Sequence, residues 1–124
     1  MSAFARPCPC GTGRSYDGCC GRLHRQEAQA ETPEELMRSR YAAYAVGDVD
    51  HIFRTWHPRT RPDDLAADTG ITWERLEIVD ASGDEVEFRA HYRTAAGRGV
   101  MHERSRFERR AGRWLYVDGD LSEA

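Results

Sequence analysis

All four cysteines of the chain, Cys8, Cys10, Cys19 and Cys20, fall within the stretch RPCPCGTGRSYDGCCGRLHR at residues 6–25. Soft thiolates gathered from two short clusters suit a tetrahedral ion such as zinc. The spacing is Cys-x-Cys, eight residues, then Cys-Cys. That departs from the about two to four residues that commonly separate paired zinc ligands. Disulfides are the competing staple. However, Cys19 and Cys20 are adjacent, and bridging both to Cys8 and Cys10 would set two strained links side by side. No apolar run near the start reads as a secretory signal, so a reducing, cytoplasmic setting is expected and the metal is the better reading.

Some staple is required. A Gly- and Pro-dense segment of about fifteen residues cannot bury enough apolar surface to offset its ordering entropy. Gly11, Gly13 and Gly18 let the backbone turn tightly around a metal. Four thiolates around a divalent ion leave a double negative charge, which Arg6, Arg14, Arg22 and Arg25 could offset. His24, one helical turn beyond Cys20, is the substitute ligand that could displace it.

The segment CPCGTGRSYDGCCG closely resembles the SEC-C motif, a short zinc-binding module also found at the end of the SecA motor of protein export. Cys8, Cys10, Cys19 and Cys20 fall on its ligand positions, and Gly11, Thr12, Gly13 and Tyr16 match its interior. The resemblance implies one structural zinc in a closed site, with no open coordination position for catalysis.

The rest of the chain must carry and position this module. With 124 residues, it suits one ordinary domain, or one small domain plus an appendage; the expected division is a zinc-binding segment at 1–27 and an α+β domain at 32–120. No run approaches the about 18 apolar residues of a spanning helix. The net charge of −3 argues against a general nucleic-acid binder. Every basic side chain other than histidine is Arg, so many Arg–carboxylate pairs are expected, each weak when exposed.

Thr32-Pro33-Glu34-Glu35 reads as a helix start, with a capping hydroxyl, a proline in the first turn and acids at the positive end of the dipole. Met37, Tyr41 and Tyr44 share a face, with Leu36, Arg40 and Ala43 adjoining it, and Gly47 ends the helix. Asp48 caps a second short helix with Val49, Ile52, Phe53 and Trp56 as its apolar stripe, stopped by Pro58. Pro62-Asp63-Asp64 could start a brief third. The period then changes to two: strands at 71–79, from 85, at 100–109 and from 113, with turns at Ser82-Gly83-Asp84, Gly97 to Gly99 and Ala111-Gly112. Two or three helices packed on a curved four-strand antiparallel sheet is the expected fold.

The third strand is where chemistry could sit outside the cysteines. Met101, Glu103, Ser105 and Phe107 share the inward face, while Val100, His102, Arg104, Arg106 and Glu108 share the wet one. A buried carboxylate is costly unless paired, and Arg40 is the expected partner. The pair reads either as a structural tie between helix and sheet or as the polar wall of a pocket, with Tyr41, Tyr44 and Ser105 orienting a ligand. His57 could line the open end of that pocket, or cap or sit at the surface. Asp118, following Trp114 and Tyr116, could join Glu103, although a turn at Asp118-Gly119 is the preferred reading.

LMRSRYAAYAVGDVDHIFRTWHP and HERSRFERRAGRWLYVDG resemble the middle region of the YchJ-type uncharacterised bacterial family. That family joins SEC-C motifs to a nuclear transport factor 2-like domain, a cystatin-like cone of curved sheet and helices. Family members often carry a second SEC-C motif at the C-terminus, and this sequence runs to DLSEA without one. The resemblance implies fold far more than activity.

The first functional expectation is a small zinc-binding adaptor whose SEC-C-like module presents Arg14, Tyr16 and Arg22 to a protein partner. The second is a small-molecule binder or enzyme that uses the cone pocket with Glu103 as acid or base. The third, nucleic-acid binding through the zinc module, is opposed by the acidic balance. The sequence leans away from an enzyme: it offers no second acid–base partner for Glu103, no nucleophile elbow and no phosphate loop.

Overall fold

The computed structural model describes residues 6–66 and 70–122. Three helices, α1 (Cys20–His24), α2 (Pro33–Val46) and α3 (Val49–Arg54), precede four strands, β1 (Thr72–Ser82), β2 (Glu85–Thr94), β3 (Gly97–Arg110) and β4 (Arg113–Ser122). The strands form one antiparallel meander in the order β1-β2-β3-β4. The α+β fold expected from the periodicity is the fold observed. The described residues 61–66 form no helix at Pro62-Asp63-Asp64. Among the described residues, no helix is long and apolar enough to cross a membrane.

The local chemistry explains the boundaries. Thr32 caps α2 by accepting the Glu35 N–H at 3.1 Å, and Glu35 Oε1 accepts the Glu31 N–H at 2.8 Å, satisfying donors that a helix start leaves open. Gly47 terminates α2 at φ 81°, where a side chain would be strained. Asp48 Oδ1 then accepts the His51 N–H at 3.1 Å and starts α3. This helix is shorter than expected, and its stripe is shifted. Ile52 and His51 are buried, whereas Phe53 is exposed beneath the Arg61 guanidinium, 3.7 Å from its ring centre.

The core lies between α2 and the inner sheet face. Leu36, Met37 and Tyr41 pack against Leu76, Val86, Phe88, Ala90 and Phe107, and Leu23 and Ala30 close one end. On the outer face, Arg104 reaches Asp80, Glu85 and Glu87, and Arg106 reaches Asp118 and Asp120. These are the expected Arg–carboxylate pairs, laid across neighbouring strands.

One irregularity decides what faces inward. The β3–β4 register shifts between Arg106, which pairs with Asp118, and Phe107, which pairs with Tyr116, so Val117 is the extra residue of a bulge. The strict alternation that would place Tyr116 and Asp118 on one face fails here. Asp118 turns outward onto Arg106, and β4 continues to Ser122 rather than turning at Asp118-Gly119. Gly119, opposite Ser105, takes the inward position.

Candidate functional sites: a cysteine cluster and a cone cavity

The cysteine loop is built as a small hairpin. Cys8 N–H donates to Arg14 O and Tyr16 N–H to Arg6 O, each at 2.8 Å. Gly11 and Gly13 at the tip take φ 88° and 85°, which favours glycine. Cys19 caps α1 and Cys20 begins it. The four cysteines are buried and unbridged, with all four Sγ atoms within 4.8 Å of one another. Cys10 Sγ and Cys19 Sγ are 3.6 Å apart, close to the about 3.8 Å edge of a tetrahedron with 2.3 Å metal–sulfur bonds.

The donor set fits a soft divalent metal. Backbone N–H groups of Cys10 and Cys20 face the Cys8 sulfur, that of Thr12 faces Cys10, and the Thr12 hydroxyl lies 3.2 Å from Cys19 Sγ. Such donors favour the thiolate, but burial outweighs them at Cys8, whose thiol is pushed up. The hydrogen bond from Cys20 pulls Cys10 down to about 4, and the same bond pushes Cys20 up. Thiols alone in this geometry share protons; a bound cation would remove them.

His24, the substitute ligand considered from spacing, is held elsewhere. Its Nε2–H donates to Ser39 O at 2.9 Å, so its Nδ1 lone pair accepts the Tyr16 hydroxyl at 2.5 Å. Cys20 completes the cluster and His24 ties the loop to α2. Arg22 pairs with Glu35 at 3.2 Å, and Arg38 donates to Cys10 O at 2.6 Å. The module is therefore packed on α2 rather than appended to it. Of the three residues expected to meet a partner, Tyr16 and Arg22 are engaged within the chain, and Arg14 is exposed.

The second site is a partly open cavity of about 240 Å³ between α2 and the inner sheet face. It brings together Arg40, Tyr41, Tyr44, Glu103 and Ser105, all anticipated from sequence, and adds Trp56, Trp73 and Tyr116 to its wall. Glu103 Oε2 accepts the Ser105 hydroxyl at 2.6 Å and the Tyr116 hydroxyl at 3.0 Å. Burial, then the nearby Glu103 charge, pushes the Tyr116 phenol up, so it stays a donor. Burial likewise raises Tyr41 to about 12.

Arg40 does not grip Glu103 directly, as the sequence suggested. Its Nη1 donates to Ile52 O at 3.0 Å and to Thr55 Oγ1 at 2.7 Å. Its guanidinium lies 4.5 Å from the Tyr116 ring centre and 4.9 Å from that of Trp56. Burial lowers its pKa, while Tyr44, Tyr116 and Glu103 oppose that shift. Tyr116 thus stands between cation and anion, stacked on one and bonded to the other. It is held there because residues 55–57 run alongside β4: His57 N–H donates to Tyr116 O and Tyr116 N–H to Thr55 O, each at 2.8 Å. The sequence signal for this was the apolar pair Trp114 and Tyr116 on one face of β4; the bulge beyond them hid that Asp118 leaves that face.

His57 is outside the cavity wall. It is buried, with Nε2 at 2.8 Å from Glu108 and Nδ1 accepting the Arg59 N–H at 3.0 Å. Its role is to fasten the chain after α3 to β3.

Comparison with known proteins agrees with this architecture. Residues 32–119 match the family model described as YchJ, middle NTF2-like domain. A UPF0225 protein of Streptomyces coelicolor is 51% identical, covering 93% of this chain and 95% of its own. One of Deinococcus radiodurans is 53% identical, covering 91% and 88%. The solution structure of a SEC-C motif containing protein from Rhodopseudomonas palustris superposes with a TM-score of 0.81 at 36% identity, over 95% of this chain and 100% of that one. The crystal structure of another from Psychrobacter arcticus gives 0.72 at 25% identity, over 99% and 85%. The chain belongs to the UPF0225 (YchJ-type) family, with a SEC-C cysteine cluster packed on an NTF2-like cone.

Proposed function

We propose that this chain is a zinc-stabilised small-molecule binding protein in which the cysteine cluster holds one structural zinc and the cone cavity is the working site. The carrying observation is the cavity of about 240 Å³ with an oriented carboxylate, Glu103, on an otherwise mostly aromatic wall. A few convergent polar groups in a concave apolar site is the general form of a ligand pocket. The zinc reading is supported by four buried thiols in tetrahedral reach and by solved relatives described as SEC-C motif containing proteins. Four sulfur ligands close the coordination sphere, so the ion shapes the loop and leaves any chemistry to the cone.

Metal analysis of protein purified without added zinc is expected to give one zinc per chain. A value near zero with four titratable thiols overturns that part. A fragment screen by nuclear magnetic resonance is expected to shift the indole N–H signals of Trp56 and Trp73. Shifts confined to other surfaces would overturn the cavity reading. A protein partner at the zinc module is a second reading, and exposed Arg14 supports it. Unchanged pull-down partners for Arg14→Ala would count against it.

A further inference from the structure

The class of ligand that fits the cone follows from its size, its wall and its charge balance, and rests on the reading of the cavity as the ligand site. A volume of about 240 Å³ exceeds the about 150 Å³ that holds a benzene ring. It falls below the about 300 Å³ at which drug-sized pockets begin. The space suits one ring or two fused rings. Tyr41, Tyr44, Trp56, Trp73, Phe88 and Tyr116 supply aromatic surface, which favours a flat partner in offset or edge-to-face contact.

Charge narrows the choice further. The wall carries one anion, Glu103, and one cation, Arg40, linked through Tyr116. Arg40 is already committed to Ile52, Thr55 and two aromatic faces. A ligand with a net charge would upset that balance in a partly open cavity walled mostly by aromatic rings, where an unpaired ion is costly. Glu103 is different: Oε2 has two donors, while Oε1 accepts no hydrogen bond from the described residues. That oxygen can take one more donor.

We infer that the cone binds an uncharged planar aromatic molecule of one or two rings carrying a single N–H or O–H donor directed at Glu103. The test uses the full chain with its metal and five probes: indole, 1-methylindole, toluene, benzylamine and benzoate. Binding is followed by tryptophan fluorescence and calorimetry. Indole is expected to bind at least tenfold more tightly than each of the others.

Glu103→Gln can keep the Ser105 and Tyr116 bonds on its amide oxygen while turning an NH₂ toward the ligand. It is expected to lose that tenfold advantage and leave toluene affinity unchanged. The comparison of indole with 1-methylindole needs no variant, so it stands even if Glu103→Gln fails to fold. Equal affinity for those two, or tighter binding of benzylamine or benzoate, overturns the inference and leaves the cavity reading in place. No binding by any probe overturns both.

Discussion

Gly119→Ala is the substitution whose sign depends on the geometry described above. Gly119 faces Ser105 across β3 and β4, and the Glu103 side chain folds over it. A Cβ at position 119 would lie 2.2 Å from Glu103 Oε2, 2.7 Å from Cδ and 2.8 Å from Cγ. Glu103 would have to swing away, releasing the hydrogen bonds at 2.6 Å to Ser105 and 3.0 Å to Tyr116. Bonds to a charged acceptor contribute about 1.5–3 kcal/mol each, and a buried donor left unmatched adds to the loss. Ser105 is fully buried, while partly exposed Glu103 regains water, so about 2–4 kcal/mol is a fair total. Replacing a strand glycine elsewhere gains about 0.5–1 kcal/mol by reducing unfolded-state entropy.

The net expectation for Gly119→Ala is destabilisation of about 1–3 kcal/mol. In a Glu103→Ala background the obstructing side chain is absent, and the same change should stabilise by about 0.5–1 kcal/mol. Urea unfolding of the four proteins closes the double-mutant cycle. A stabilising Gly119→Ala in the unaltered chain, or a coupling under about 0.5 kcal/mol, refutes the placement of Glu103 over this glycine.

Three further outcomes are expected. Cys20→Ser should lose the metal, whereas His24→Ala should retain it and lower the melting temperature by removing the Tyr16 and Ser39 links; metal analysis and calorimetry read both. Gly21→Ala should destabilise the cysteine loop and raise its metal dissociation constant, because a Cβ there meets the Tyr16 carbonyl oxygen at 2.7 Å and backbone cannot yield cheaply; competition with a chromophoric chelator measures it. His51 should make stability fall with acidification. Burial, reinforced by His24, Arg54 and Arg40, holds the imidazole down to about 3, while its Nε2 bonds to the Ser39 hydroxyl at 2.9 Å and its Nδ1 has no hydrogen-bond partner among the described residues. The unfolded chain therefore binds the extra proton between about pH 6.5 and 3. The stabilisation is complete above that window and is lost as pH falls through it, at no more than about 1.4 kcal/mol per pH unit. His51→Gln should flatten that slope in denaturation curves, and an unchanged slope would refute the assignment.

The residues differ in how far local information reaches. Thr32, Gly47 and Asp48 act through bonds within three or four positions, so the boundaries between α2 and α3 could be read directly. The inward set of β3 could be read too, because its alternation holds from Met101 to Phe107. Phe53 is exposed and His51 buried, against the expected stripe, because six residues of α3 are too few for the period to fix which side faces the core. Glu103 could be identified as inward and polar, and Tyr116 shares one strand face with Trp114, but the outward turn of Asp118 could not be read. The bulge at Val117 shifts the β3–β4 register beyond Tyr116, so the alternation that would set Asp118 beside Glu103 fails there.

By itself, then, the sequence determined the four-cysteine cluster, the helix caps and the two-residue period of the strands, all of which depend on covalent neighbours and short-range sterics. Tertiary structure decided that His24 bonds to Ser39 and Tyr16 instead of joining the cysteines, and that Arg40 meets Glu103 only through Tyr116. It also decided that the cone keeps an open cavity. Each of these depends on side chains brought together from distant parts of the chain, where a single register shift changes which groups meet.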